Sequence, residues 1–141
     1  IMVAMSASPY VAAYAWTSAS GFGTKYANPS VSLGGQTNNA TFSPAGDAVI
    51  FGTLVAAGYL QAYAWTSASG FGTKYSSPSG NPQALYGGSF SPTGDAFVSG
   101  AASPNYIAAY QWNSATGFGT AYSNPATPPA GTVLTVAFAT N

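Results

Sequence analysis

Ala62-Tyr63-Ala64-Trp65, then Thr66-Ser67-Ala68-Ser69, then Gly70-Phe71-Gly72-Thr73-Lys74-Tyr75 and Pro78 is the stretch on which the fold turns. The same string recurs around Trp16 and Trp112, at spacings of 49 and 47 residues, so nearly all of the 141-residue chain is repeat. Repeats of this length mark quasi-one-dimensional arrays, which present surfaces and are seldom built around one chemical site. The hydrophobic period within the string is two. Alternation puts Val11, Ala13 and Ala15 on one face of the strand before the motif and Tyr10, Tyr14 and Trp16 on the other. Small residues on one side and large aromatics on the other suit a sheet packed between two neighbours.

Working outward, each repeat has four parts. A short run ends in Phe, as in Thr41-Phe42, Ser89-Phe90 and Val133 to Phe138. Ser43-Pro44-Ala45-Gly46-Asp47 and Ser91-Pro92-Thr93-Gly94-Asp95 follow, where Pro presets φ and Gly permits φ > 0, so the chain reverses tightly. The second candidate strands are Ala48 to Phe51 and Ala96 to Val98; the third are Tyr10 to Trp16, Tyr59 to Trp65 and Tyr106 to Trp112. The fourth, Gly21 to Tyr26 and its equivalents, are Gly-rich and closed by Pro29, Pro78 and Pro125, which places them at a sheet edge. Four short antiparallel strands in about 48 residues predict a β-propeller blade. The expected architecture is all-β, one propeller segment spanning residues 1–141 with three four-stranded blades, and a β-solenoid or fibre is the competing arrangement.

Phe90-Ser91-Pro92-Thr93-Gly94-Asp95-Ala96, an apolar strand, a turn, and Tyr106-Ile107-Ala108-Ala109-Tyr110-Gln111-Trp112 together resemble the WD40 repeat, in which an FSPDG turn is followed by a strand ending in Trp-Asp. In that alignment Tyr14, Tyr63 and Tyr110 take the place of the family's tryptophan. The resemblance covers nearly the whole chain and implies a propeller. The chain departs from the family in having no Gly-His dipeptide and no Asp after the aromatic, so the family's His-centred hydrogen-bond network is not available to it. The repeat is also similar to the uncharged WD40-like repeats of bacteriophage and environmental sequences.

The chain ends complement each other. From the turn Phe to the third-strand Tyr the interval is 17 residues for Phe42 to Tyr59 and 16 for Phe90 to Tyr106; joining Asn141 to Ile1 would make it 13. Ile1 to Met5 therefore reads as the second strand of a blade whose first strand is Val133 to Phe138, so the N-terminal strand completes the third blade. Three blades are too few for a ring, since propellers start at about four. The expectation is a homo-oligomer joined head to tail by a heterologous contact, six-bladed as a dimer or nine-bladed as a trimer, with six favoured.

Composition excludes much of chemistry. Only Lys25, Asp47, Lys74 and Asp95 carry formal charge, 3% of the chain, while 15% is aromatic. Two lysines without arginine cannot neutralise a run of phosphates, so neither nucleic acid nor a membrane surface is an expected partner. With no His, Cys, Glu or Arg there is no imidazole base, thiolate or guanidinium clamp, and no enzymatic activity, cofactor or metal is expected. One Asp per blade is a poor calcium site. Lys25 with Asp47 and Lys74 with Asp95 occur together and are absent together from the third repeat, which predicts an ion pair. A neutral surface of this kind favours an extracellular or virion-associated setting.

The aromatics remain. Tyr14, Tyr63 and Tyr110 are expected in the core. Trp16, Trp65 and Trp112 end their strands beside hydroxyl-bearing loops, where an indole could either pack between blades or stack on a sugar ring. The expected function is a non-enzymatic structural or protein-interaction propeller with an unidentified protein ligand, the alternative being multivalent glycan binding through those three tryptophans.

Overall fold

The computed structural model of the chain describes residues 1–55, 58–80, 85–103 and 105–139. Every regular element among them is a strand: β1 Met2–Ala4, β2 Val11–Thr17, β3 Gly21–Lys25, β4 Thr37–Phe42, β5 Ala48–Thr53, β6 Leu60–Thr66, β7 Gly70–Lys74, β8 Leu85–Phe90, β9 Ala96–Ala101, β10 Ile107–Asn113 and β11 Gly117–Ala121. They form three antiparallel sheets, ordered β1-β2-β3, β4-β5-β6-β7 and β8-β9-β10-β11. The four expected parts of the repeat are thus four consecutive strands in the second and third sheets. In the first sheet the strand corresponding to β4 and β8 is lacking. The chain position Asn141, where the sequence was joined to Ile1, lies outside the described residues.

Local chemistry sets the turns. In Ser43-Pro44-Ala45-Gly46-Asp47 the Gly46 N–H donates to the Ser43 carbonyl at 2.9 Å with Gly46 at φ +70°, and the Gly94–Ser91 turn repeats both features. The Ser43 hydroxyl donates to Asp47 Oδ1 at 2.7 Å and accepts from the Ala48 N–H at 3.1 Å, so one side chain clasps the reversal from inside. All three third strands begin one residue later than expected, at Val11, Leu60 and Ile107; in the first and third repeats Tyr10 and Tyr106 have φ of +69° and +46° and cannot extend the ladder. Each third-to-fourth strand ladder shifts register between its Tyr and its Trp. There a β-carbon on Gly72 would stand 3.2 Å from that of Ala64, and Gly23 and Gly119 meet Ala15 and Gln111 as closely. The second Gly of Gly-Phe-Gly therefore serves the bulge.

The sheets stack in chain order, and the second is covered on both faces. Val49, Phe51 and Tyr63 look toward the first sheet and share a core with Val11 and Leu33. Ala48, Ile50, Leu60 and Ala62 look toward the third and share a core with Leu85, Phe90, Phe97, Tyr110 and Trp112. Aromatics of one sheet thus meet small and aliphatic residues of the sheet before it, as the alternation in sequence predicts. Strand β4 lies beside β8, and β1 lies beside β4 as its counterpart β5 lies beside β8, so each sheet's first strand sits against the first two strand positions of the sheet before it.

The stretch from Val133 to Phe138 has no ladder, yet it occupies the next position in this series. The Thr37 N–H at the start of β4 donates to the Met5 carbonyl of the first sheet at 3.1 Å; the Val133 N–H donates to the Ala101 carbonyl of the third sheet at the same distance. A β-carbon on Gly52 would stand 3.2 Å from Leu85 of the following sheet, and one on Gly100 would stand 2.5 Å from the Val133 carbonyl oxygen. Residues 133–138 thus sit on the third sheet as β8 sits on the second.

Tyr63 ties a loop to this core. It is buried, its hydroxyl donates to the Val31 carbonyl at 2.7 Å, and burial pushes its pKa up to about 12 from 10.0. A raised pKa favours the folded state fully below pH 10.0 and loses that contribution as pH climbs through about 12. Tyr63→Phe is expected to cost about 1 kcal/mol at neutral pH by the lost hydrogen bond, read from the urea midpoint, and to flatten the fall in stability above pH 10.0.

Candidate functional site

The three strand-end tryptophans fall into two classes. Trp65 is 7% exposed and Trp112 5%, whereas Trp16 is 50% exposed. Trp65 stands edge-to-face against Phe71 of its own sheet at 5.2 Å, Phe42 at the end of β4 at 5.3 Å and Tyr26 of the preceding sheet at 5.0 Å. Trp112 has the same three neighbours one repeat on: Phe118 at 5.1 Å, Phe90 at 5.5 Å and Tyr75 at 5.3 Å. Among the described residues Trp16 has one ring partner, Phe22, at 5.2 Å. Such contacts contribute about 0.5–1.5 kcal/mol per pair beyond area burial, so two of the indoles are strongly committed to holding sheets together.

Sequence reasoning missed the tyrosine of Gly-Phe-Gly-Thr-x-Tyr. The Tyr26 hydroxyl donates to the Ser67 carbonyl of the next sheet at 2.6 Å, and that of Tyr75 donates to the Ser114 carbonyl. Each ring lies over the first glycine of the next motif: a β-carbon on Gly70 would meet Tyr26 at 3.0 Å, and one on Gly117 would meet Tyr75 at 2.9 Å. Those glycines also have φ of +82° and +85°, so the position requires Gly for backbone and space together. The invariant offset of the Tyr from the Trp in all three repeats was the signal in the sequence.

The predicted Lys–Asp pairs do not form among the described residues. Lys74 Nζ donates to Gln61 Oε1 at 2.6 Å, and its pKa is lowered by burial. Asp47 is engaged by Ser43, which holds its carboxylate below the ordinary 3.8 against the opposing effect of partial burial; Ser114 of the next sheet lowers it further. Asp95 is likewise lowered, by hydroxyls of Thr93 at 2.6 Å and Ser91 at 2.8 Å. Burial raises Tyr75, and the charge on Asp47 adds to the effect. Both carboxylates accept hydrogen bonds from hydroxyls of their own turns, and Asp47 also accepts one from that of Ser114 in the next sheet.

Among the open clefts, one of about 390 Å³ lies on the third sheet and is lined by Asp95, Gln111, Trp112, Asn113, Thr116 and Tyr122, and two more lie elsewhere. One, of about 340 Å³, lies between the first two sheets and is lined by Ile1, Tyr14, Trp16, Tyr26, Phe42 and Trp65. The other, of about 420 Å³, is at the ends of β4 and β8, where Phe42, Phe90 and Phe138 come together with Pro44 and Pro92. These two are lined by aromatic side chains together with Ser and Thr hydroxyls and contain no carboxylate. Compared with known proteins, the chain is matched by no family model and by no curated protein.

Two outcomes are expected. Trp65→Ala opens a buried site between sheets and should cost about 3–5 kcal/mol in chemical denaturation. A depressed carboxylate pKa favours the fold above 3.8 and loses that contribution as pH falls through the lower folded value, so acid titration followed by near-UV circular dichroism should show a loss of stability below 3.8 that Asp47→Asn reduces.

Proposed function

We propose that the chain is a non-enzymatic β-propeller segment of WD40-like pattern, a structural or protein-interaction module that assembles with copies of itself. Its three sheets act as blades around an axis lined by β4, β8 and residues 133–138. The observation that carries this reading is the repetition of one sheet-to-sheet relation: Trp65 and Trp112 take the same partners from the preceding sheet, and residues 133–138 continue the series beyond the third sheet. A six-bladed ring of two chains falls within the common range of blade numbers, and a nine-bladed ring of three follows from the same contact. The charge-poor surface suits an extracellular or virion setting, and the clefts at the ends of β4 and β8 and between sheets suit an apolar segment of a protein ligand.

Glycan binding is the second reading, and it now rests on Trp16 alone. Its indole is half exposed beside Thr17 and Ser20, whose hydroxyls bond each other at 2.6 Å. Trp65 and Trp112 present too little surface for a sugar to stack upon. Light scattering is expected to give twice the 14.1 kDa chain mass, or three times it for the larger ring, and a monomer would overturn the ring. A glycan array with no signal would remove the second reading; a signal abolished by Trp16→Ala would favour it.

A further inference from the structure

The first and third sheets each expose one half of the contact that the chain makes twice internally. Within the chain, a following sheet gives the preceding one an indole, a Ser carbonyl and a positive-φ glycine, and receives a Tyr that packs on the glycine and donates to the carbonyl. A second bond runs the other way, from the Tyr63 hydroxyl to the Val31 carbonyl and from Tyr110 to Gly80, at 2.7 and 3.4 Å. The indole is closed from its own side by the Phe at the end of β4 or β8.

At the first sheet every receiving element is present and unmatched. Trp16 is 50% exposed, Gly21 has φ +73° with only Trp16 above it, and β1 carries one partner strand. Ile1 exchanges both backbone bonds with Tyr14, and the Met5 N–H donates to the Tyr10 carbonyl. By the alternation of an antiparallel ladder, Met2 and Ala4 turn their backbone groups toward the open edge. At the third sheet every giving element is present and equally unmatched. Tyr122 is 48% exposed and Phe138 37% exposed, and residues 133–138 have no strand alongside them among the described residues.

The geometry points to a second copy of this chain as the occupant of the first sheet's exposed face. The inference rests on the propeller reading and gives its self-association a residue-level form. Tyr122 of one copy packs on Gly21 and Trp16 of the other, its hydroxyl on the Ser18 carbonyl. The Tyr14 hydroxyl donates to the Thr127 carbonyl, as Tyr63 does to that of Val31. Residues 133–138 pair with β1 in the register of the two internal ladders. There Phe42 lies opposite Val49 and Phe90 opposite Phe97, which places Phe138 opposite Ile1 and Ala137 opposite Met2. Phe138 then closes the third side of Trp16. Open β-edges seek partners of this kind, and this one is specified by side chains on both faces.

The contact is head to tail, so each half can be blocked separately. Trp16→Asp removes the receiving half and Tyr122→Asp the giving half, both at half-exposed positions that leave the internal sheet contacts intact. Each variant alone is expected to run at the mass of one chain in light scattering, with far-UV circular dichroism unchanged. An equimolar mixture should run at the mass of two, because each variant retains the half its partner lacks. Tyr122→Phe, which keeps the ring and loses only the hydroxyl, should weaken association about fivefold and serves if the Asp variants do not fold. A multimer that persists in both variants, or a mixture that stays at one chain, would overturn this pairing while leaving the propeller reading standing. A wild-type monomer would overturn both.

Discussion

The edge-to-face wedge at the ends of β6 and β10 is the interaction on which the rest of the architecture depends. An indole held between the Phe of its own first strand and the Tyr of the preceding sheet fixes three things at once. It sets the distance between sheets, locks the first strand against the third within a sheet, and carries a Tyr hydroxyl to a backbone carbonyl in the neighbouring turn. The residues around it answer to that demand. Gly70 and Gly117 leave room for the ring and take the left-handed backbone needed where β7 and β11 begin. The bulge that follows, at Gly72 and Gly119, re-aims the edge strand.

Poverty of charge explains why aromatics hold this position. With two lysines and two aspartates the chain cannot fasten sheets by ion pairs: Lys74 and Asp95 bond to neighbours in their own sheet, and Asp47 bonds to Ser43 of its own turn and to the Ser114 hydroxyl of the next sheet. Directionality between sheets comes instead from neutral donors: Tyr26 and Tyr75 reach forward into the next sheet's turn, and Tyr63 reaches back to the loop after β3. Bonds of this type carry no net charge, so salt screens them little. The same economy makes the pH response small and confined to the extremes, where Asp47 and Tyr63 titrate.

Strand order and turn positions were legible in the sequence because they follow from local chemistry. Pro44 and Gly46 can only reverse the chain, and alternation from Val11 to Trp16 assigns faces without knowledge of neighbours. What lies opposite a face was not legible. Trp65 and Trp16 have nearly identical sequence surroundings, yet one is buried and the other half exposed, because the difference is made by Tyr26 and Phe42, residues outside the local motif. The role of Tyr26 was hidden for the same reason, its acceptor lying on the third-strand turn of the next repeat. The co-occurrence of Lys and Asp was misleading in an instructive way. Asp47 answers to Ser43 four residues earlier, and Lys74 answers to Gln61, which the first repeat replaces with Ala12.

Polarity of the faces also decides the form of any larger assembly. A sheet of this chain has an aromatic face and a small-residue face, and inside the chain the aromatic face of one always meets the small face of its predecessor. Two aromatic faces brought together would leave Tyr14 and Trp16 without the backbone carbonyl and the Tyr ring that their counterparts possess. Association through like faces therefore forfeits the bonds that make the internal contact specific, while association through unlike faces recovers them all. A contact between unlike faces is heterologous, so its product depends on the rotation from one sheet to the next: a ring if the rotation closes, a filament if it does not. Close approaches mark where successive elements meet: a β-carbon on Gly52 would stand 3.2 Å from Leu85, and one on Gly100 would stand 2.5 Å from the Val133 carbonyl oxygen, where no side chain fits.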